Sequence, residues 1–291
     1  MPANLLGIDN TNVYAELALK RLQAEAPLFD AFTTDFSNEG DGANIVVPIF
    51  TSTYTLNNTD TNGITAQSST SSIATVTYGT RDITLDFSET KWANMSARTI
   101  GESLIPDMTV ACANLVAKDV FSGLTYAAIG SGSVIASAAF SSSAAYDQST
   151  ALSTAKCPAS GRSMVLTPAY YGSLVKSAGN SFTSVAERST NSYRIGYGFG
   201  FQNIIEWADL PTNSENLVGV ALHKSGVAFA MRKPTAPTGI GAVVGEAADP
   251  TSKFAVQVRN WWNQGKFYLG IFMSYGYTIG NAGAVKAIRS A

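Results

Sequence analysis

Between Gly196 and Lys233 the chain reads GYGFGFQNIIEWADLPTNSENLVGVALHKSGVAFAMRK. Gly196, Gly198 and Gly200 permit a tight turn, because glycine adopts positive φ without a Cβ penalty. The turn enters a strand expected over Phe201 to Trp207, Leu210-Pro211 breaks that strand, and an apolar block closes on His223-Lys224. Upstream, Ser163 to Lys176 (SMVLTPAYYGSLVK) reads as a strand, a proline stop and a short helix. Residues 161–249 thus form one module of mixed strands and helix.

The N-terminal third has a different character. Asn12 to Glu25 forms a short helix, with Val13, Leu17 and Leu22 on roughly one side, until Pro27 stops it. Ser37-Asn38-Glu39-Gly40-Asp41-Gly42 has nothing apolar to bury and reads as a connector, so residues 1–42 resemble an arm. Two strand-like runs follow, Ile45 to Thr53 and Thr75 to Ser88, joined by a polar tip from Asn57 to Ser72. Ile83, Leu85 and Phe87 alternate with polar residues, the period of a strand covered on one face. A two-stranded ribbon buries too little to stand alone, so this hairpin, residues 43–91, must lie on something else.

The clearest helix runs from Ile105 to Ile129, with Pro106 and Asp107 suited to its first turn and Gly123 weakening it. Steps of about 100° collect Asp107, Asn114, Lys118, Ser122 and Thr125 on a polar strip. Met108, Cys112, Leu115, Val116, Val120, Phe121 and Leu124 cover most of the rest. Asp119 falls among the apolar positions, where a carboxylate needs a cationic partner or an edge that reaches water. Ala127 to Ser160 is rich in Ala, Ser and Gly and reads as short strands and loops, completing a unit over residues 92–160. The chain ends, over residues 250–291, in strand-like runs Phe254 to Arg259 and Phe267 to Ile279 around Trp261-Trp262-Asn263-Gln264-Gly265.

Of the 291 residues 45% are hydrophobic, enough for a substantial core, and only 14% are charged. An ordinary soluble protein carries roughly a quarter, so much of this surface must be uncharged or covered by neighbours. The charges are unevenly placed. Between Leu22 and Thr90 the only basic residue is Arg81, against acids that include Asp82, Asp86 and Glu89; after Asp249 there is no acid, only bases that include Arg259 and Lys266. That asymmetry suits head-to-tail contact between copies, with these five residues as candidates, or else two solvated faces that never meet.

Catalytic and metal chemistry find little support. His223 is the sole histidine and sits in an apolar run, where a structural imidazole is expected. HExxH, GxSxG and GxxxxGK[ST] are absent. The Gly196–Gly200 loop precedes a strand rather than a helix, which leaves no helix N-terminus for a phosphate. No cofactor, no metal site and no enzymatic activity are expected. Cys112 and Cys157 lack CxxC spacing, which fits a reducing compartment. MPANLLGIDNTNVY has no basic region ahead of a long apolar run, so cytoplasmic synthesis and no membrane association are expected.

The order of the segments, above all SMVLTPAYYGSLVK and the stretch around Leu210-Pro211 and His223-Lys224, resembles the major capsid (coat) protein of tailed bacteriophages with the Hong Kong 97-type fold. The resemblance spans nearly the whole chain: N-terminal arm, extended loop hairpin across a neighbouring subunit, peripheral domain with a spine helix, axial domain, returning peripheral strands. It implies an α+β fold and self-assembly into pentamers and hexamers of an icosahedral shell around double-stranded DNA, contacted without sequence specificity. It further implies scaffolding and portal partners, and a decoration protein as a further candidate. The implied location is the virion capsid, after assembly in the bacterial host cytoplasm. An encapsulin-like nanocompartment shell shares the fold and stays an alternative; a β-rich surface or adhesion protein is a more remote one.

Overall fold

The computed structural model describes residues 11–32, 34–35, 44–50, 71–96, 99–178, 188–189, 194–235, 242–248 and 254–291. The chain opens with α1 (Thr11–Phe32), β1 (Thr34–Asp35), β2 (Asn44–Phe50), β3 (Ser71–Thr77), β4 (Gly79–Ser88) and α2 (Glu89–Asn94). A π-helical turn, Ile100–Leu104, leads directly into α3 (Ile105–Ser122), and α4 (Tyr126–Ile129), β5 (Gly132–Val134) and α5 (Ser142–Thr154) follow. Next come β6 (Arg162–Leu166), α6 (Pro168–Ala178), β7 (Arg188–Ser189), β8 (Arg194–Gly198), β9 (Phe201–Glu206), β10 (Leu217–His223) and β11 (Val227–Arg232). The last strands are β12 (Val243–Ala248), β13 (Ala255–Asn263), β14 (Lys266–Ile279) and β15 (Val285–Arg289). This is a mixed α+β fold with two large sheets and a separate two-stranded ribbon.

The first sheet is organised around β14, whose 14 residues pair with β4 over Lys266–Tyr275, with β13 over Lys266–Phe272 and with β11 over Ser274–Ile279. The β13–β14 hairpin turns on Gln264 (φ 49°) and Gly265 (φ 75°), the pair of left-handed residues whose twist matches that of the flanking strands. On one face Val256, Val258, Leu269, Ile271 and Met273 are fully buried. They share the main core with Tyr14, Ala15, Ala18 and Leu22 of α1 and with the inner side of α3.

Pro27 does not end the first helix, contrary to expectation; α1 continues to Phe32. Phe29, beyond the proline, is 2% exposed, with its ring 5.7 Å from Phe229 and 5.9 Å from Phe254. Burial of such a ring, about 1.5–3 kcal/mol, offsets much of the cost of an interior proline. Leu22 is buried and Leu17 packs against the core as expected, but Val13 is half exposed and Tyr14 takes its place inside. The start of α1 is seated so closely on the first sheet that a Cβ on Gly245 of β12 would overlap the carbonyl oxygen of Thr11. The remainder of the expected 1–42 arm lies largely outside the described residues.

The long helix is shorter than expected. Gly123 caps α3, which has 18 residues, and α4 starts afresh at Tyr126. Asn213 donates through Nδ2 to the carbonyls of Phe121 (2.9 Å) and Leu124 (3.3 Å), satisfying acceptors that a helix end leaves open. The buried face is otherwise as the sequence indicates, apart from Leu115, which is 55% exposed.

The second sheet has the order β5-β15-β10-β6-β9-β8-β7. Its β8–β9 turn is Gly198-Phe199-Gly200, all at positive φ. Residues 161–249 therefore do not remain on one sheet: β11 and β12 join the first sheet, while β15, from the C-terminal run, joins the second. The redirection happens at the 3-10 turn Lys224–Gly226 after β10. Within Ala127–Ser160 the structure forms a 13-residue helix, α5, where loops and short strands were expected. Small side chains, Ala144 and Ala145, let it lie close on the sheet with Leu152.

Candidate assembly surface and hairpin-root cleft

The expected strand Thr75–Ser88 is two strands, divided at Tyr78. β3 pairs with β2 in the ribbon, and β4 pairs with β14 in the first sheet, so the 43–91 segment is a hairpin only in its first part. The tip, residues 51–70, lies outside the described residues. At the break Arg232 stacks over the Tyr78 ring at 4.4 Å, and a Cβ on Gly276 would overlap the carbonyl oxygen of Thr77. The end of β3 and the backbone of β14 thus touch directly.

The ribbon has two faces. Ile45, Val47, Ala74 and Val76 are buried against Ala228 and Ala230 of β11, whose small side chains admit the close approach. This seat belongs to the same chain, so the root of the hairpin does not need a neighbour. The opposite face carries Val46 and Ile73, 57% and 69% exposed. Val46 pairs with Thr75, two residues from Ile73, so the two apolar side chains lie diagonally on one face. Neither β2 nor β3 contains a charged residue.

Beside the break, Thr77, Tyr78, Gly79, Arg81, Asp119, Tyr275, Gly276 and Tyr277 line a cleft of about 250 Å³. Asp119, half-buried on the cleft wall, is met by tyrosines rather than by the cation that was one of its two expected settings. Tyr275 Oη donates to its Oδ2 at 2.7 Å, and Tyr277 Oη donates to its backbone carbonyl at 2.8 Å. Burial, reinforced by the hydrogen bond and charge of Asp119, raises the Tyr275 hydroxyl well above the ordinary tyrosine range. Tyr275 thus stays protonated and remains a donor.

Of the five charged contact candidates, Asp86 and Lys266 meet within one chain as an ion pair across β4 and β14. Their charges stabilise each other: the Lys266 ammonium lowers the Asp86 pKa, and Asp86 raises that of Lys266. Arg259 is 7% exposed, stacked on Phe272 at 4.0 Å and donating to Gln257 and to the Thr235 carbonyl, so it is committed inside its own subunit. Asp82 and Glu89 are exposed; Asp82 Oδ2 accepts from Thr84 Oγ1 at 2.6 Å. Asp82 lies close enough for its charge to act on Arg259, so four of the five are engaged within one chain, and Glu89 is left exposed.

His223 Nδ1 lies 2.8 Å from Ser225 Oγ and accepts from the Ser225 N–H at 3.2 Å, capping the turn that redirects the chain between sheets. Burial lowers its pKa, which favours this neutral, accepting imidazole. Burial also pushes the Cys112 thiol up to about 12, far from the thiolate that nucleophilic chemistry needs. Among the described residues no group of three or more His, Cys, Asp or Glu could hold a metal ion, and no helix is long and apolar enough to cross a membrane.

The tyrosines of the cleft and the outward face of the ribbon were missed from sequence. Alternation in Ile45-Val46-Val47 is obscured because both faces are apolar, and that doubling is itself the signal of an outward face that also seeks cover.

No protein-family model and no curated protein matches the sequence. Solved structures do match in fold. The capsid of the cyanophage P-SCSP1u shares it with a TM-score of 0.58 and 12% identity, covering 91% of this chain and 88% of that one. The mature capsid of bacteriophage PhiM1 (TM-score 0.55, 9% identity, 90% and 86% covered) and the capsid of an empty GTA particle (0.55, 14%, 89% and 88%) are similar to the same extent.

Proposed function

We propose that this chain is a major capsid protein of a tailed bacteriophage, a non-enzymatic subunit that self-assembles into pentamers and hexamers of an icosahedral shell enclosing double-stranded DNA. The observation that carries the reading is the end-to-end fold match with three capsid structures, over about nine-tenths of both chains each time. On this reading the second sheet with α5 and α6 is the axial domain, the first sheet with α1 and α3 is the peripheral domain, and β2–β3 is the root of the extended loop of a Hong Kong 97-type subunit. The uncharged outward face of that ribbon, with Val46 and Ile73 exposed, supports burial between subunits.

Glu89, exposed, and Asp82, exposed but already acting on Arg259 of its own chain, remain the acids proposed for contact between copies. Scaffolding, portal and decoration proteins and packaged DNA would be the partners, with the virion capsid as the location. The neighbours are capsids rather than enzyme-loaded compartments, which is why the encapsulin-like alternative is not preferred. Electron microscopy of the purified protein, alone and with a scaffolding protein, tests the assignment: capsomers or closed shells are expected, and a monodisperse monomer under both conditions overturns it. Nucleic acid inside native particles, rather than a protein cargo, separates the capsid from the compartment.

A further inference from the structure

The cleft at the hairpin root brings one cation and one anion to a common space without joining them. Arg81 and Asp119 both line its wall, yet they form no ion pair. Arg81 is exposed, and its guanidinium folds back over Gly79 with one long hydrogen bond, 3.4 Å, to the carbonyl of Thr80. Tyr275 fixes the Asp119 carboxylate by donating to Oδ2. Among the described residues no side chain donates to the other oxygen, Oδ1. The cleft therefore presents unspent N–H donors on one side and an unspent acceptor on the other, with no net charge.

A ligand complementary to this wall must offer an acceptor and a donor together and carry no net charge. A carboxylate would meet Asp119, and a cation would meet Arg81. A carboxamide meets the requirement in one planar group, with C=O as acceptor and N–H as donor. A volume of about 250 Å³ holds an asparagine or glutamine side chain with room for the backbone that carries it. The chain itself is a matching source: with 14% of its residues charged, uncharged polar side chains, carboxamides among them, outnumber charged ones in a second copy.

We propose that this cleft is a carboxamide-binding subsite that takes an amide from a second copy of the chain, the amide C=O accepting from Arg81 and its N–H donating to Asp119. The choice of a second copy as the source rests on the shell-forming reading above; the amide chemistry does not.

The test is a proton–nitrogen NMR titration of the unassembled protein with N-acetylasparagine amide, with acetate and methylguanidinium as controls. Saturable shifts at the amides of Gly79 and Gly276 are expected for the amide probe and not for the controls. Arg81→Gln, at an exposed position, should retain the wild-type melting temperature and weaken the probe about tenfold, the effect of losing one charge-assisted hydrogen bond. No saturable shift, equal response to acetate, or unchanged affinity in Arg81→Gln overturns the subsite. In a second arm, assembly of wild-type protein is followed by light scattering with the probe at saturation. Slower assembly is expected if a second copy supplies the amide, and an unchanged rate overturns that source. The titration needs no assembly, so a failure of the shell reading and a failure of the subsite are read separately.

Discussion

The hydroxyl of Tyr275 donates a 2.7 Å hydrogen bond to the carboxylate of Asp119, tying the 14-residue strand β14 to the long helix α3. A carboxylate placed among apolar positions is thereby satisfied by a neutral donor, which spares the desolvation of a second charge. Tyr277 secures the same turn of helix by donating to the Asp119 carbonyl. The joint between helix, sheet and hairpin root thus depends on two phenols that must remain protonated.

That dependence gives the fold an alkaline limit. Tyr275 is raised above the ordinary value of 10.0, chiefly by burial, and Tyr14, Tyr170 and Tyr277 shift in the same direction for the same reason. In the unfolded chain these groups ionise near pH 10, whereas in the folded chain they hold their protons to higher pH. Their contribution is therefore full below about pH 10 and lost as pH rises through the folded values. Urea midpoints should fall between pH 8 and pH 11, and fall less in Tyr275→Phe, which should also cost about 1–3 kcal/mol at neutral pH by leaving Asp119 without its donor. Parallel pH profiles for the two proteins would show that Tyr275 is not a buried, protonated donor.

Two substitutions two residues apart on α3 should part company. Val116 is 2% exposed, and Val116→Asp buries an unpaired carboxylate at a cost of several kcal/mol, roughly enough to abolish soluble expression. Lys118 is exposed and its ion pair to Asp209, at 3.7 Å, is between half-exposed groups, so Lys118→Gln should change stability by less than about 0.5 kcal/mol. Equal soluble yields would mean that the helix faces are assigned to the wrong sides.

The Asp86–Lys266 pair should behave as an intrachain contact. Asp86→Lys is expected to weaken the β4–β14 edge, and Lys266→Asp in the same chain should restore it. Supplying Lys266→Asp on a separate chain should not. Thermal melts of the single, double and mixed proteins, at low and high salt, settle which copy holds the partner; rescue between chains would move this pair to an interface.

Local pattern was legible where one face of an element is buried and the other wet. Met108, Cys112, Val116, Val120 and Phe121 could be placed on the core side of α3 because their spacing follows the helical turn. The same logic failed for α5, whose buried positions are mostly Ala, Ser and Gln and carry too little apolar contrast to set a period. Pro27 reads as a stop from its local cost alone; the helix continues because of Phe29, whose partners Phe229 and Phe254 lie some two hundred residues away. Sheet membership was the least legible: nothing within VAFAMR says that β11 pairs with β14 while β10, three residues before it, pairs with β6 and β15. The cleft shares that difficulty, since Asp119 and Tyr275 are 156 positions apart.

The outward face of the β2–β3 ribbon gives the sharpest separation of folding from assembly. Ile73 is 69% exposed and Val46 57%, so a lysine at either position keeps its head in water. Ile73→Lys and Val46→Lys should each shift stability by no more than about 0.5 kcal/mol, as exposed substitutions usually do. Between subunits the same lysine would have to be desolvated against an uncharged surface, and the penalty would recur at every copy around a shell. Both variants are expected to melt like the wild type yet fail to form particles by sedimentation and electron microscopy. The inner-face variant Ala74→Lys should instead fail to fold, because Ala74 is 8% exposed and seated on Ala228 and Ala230. Wild-type particle yields from Ile73→Lys and Val46→Lys together would remove the ribbon face from any interface and leave its exposed apolar side chains without a role in assembly.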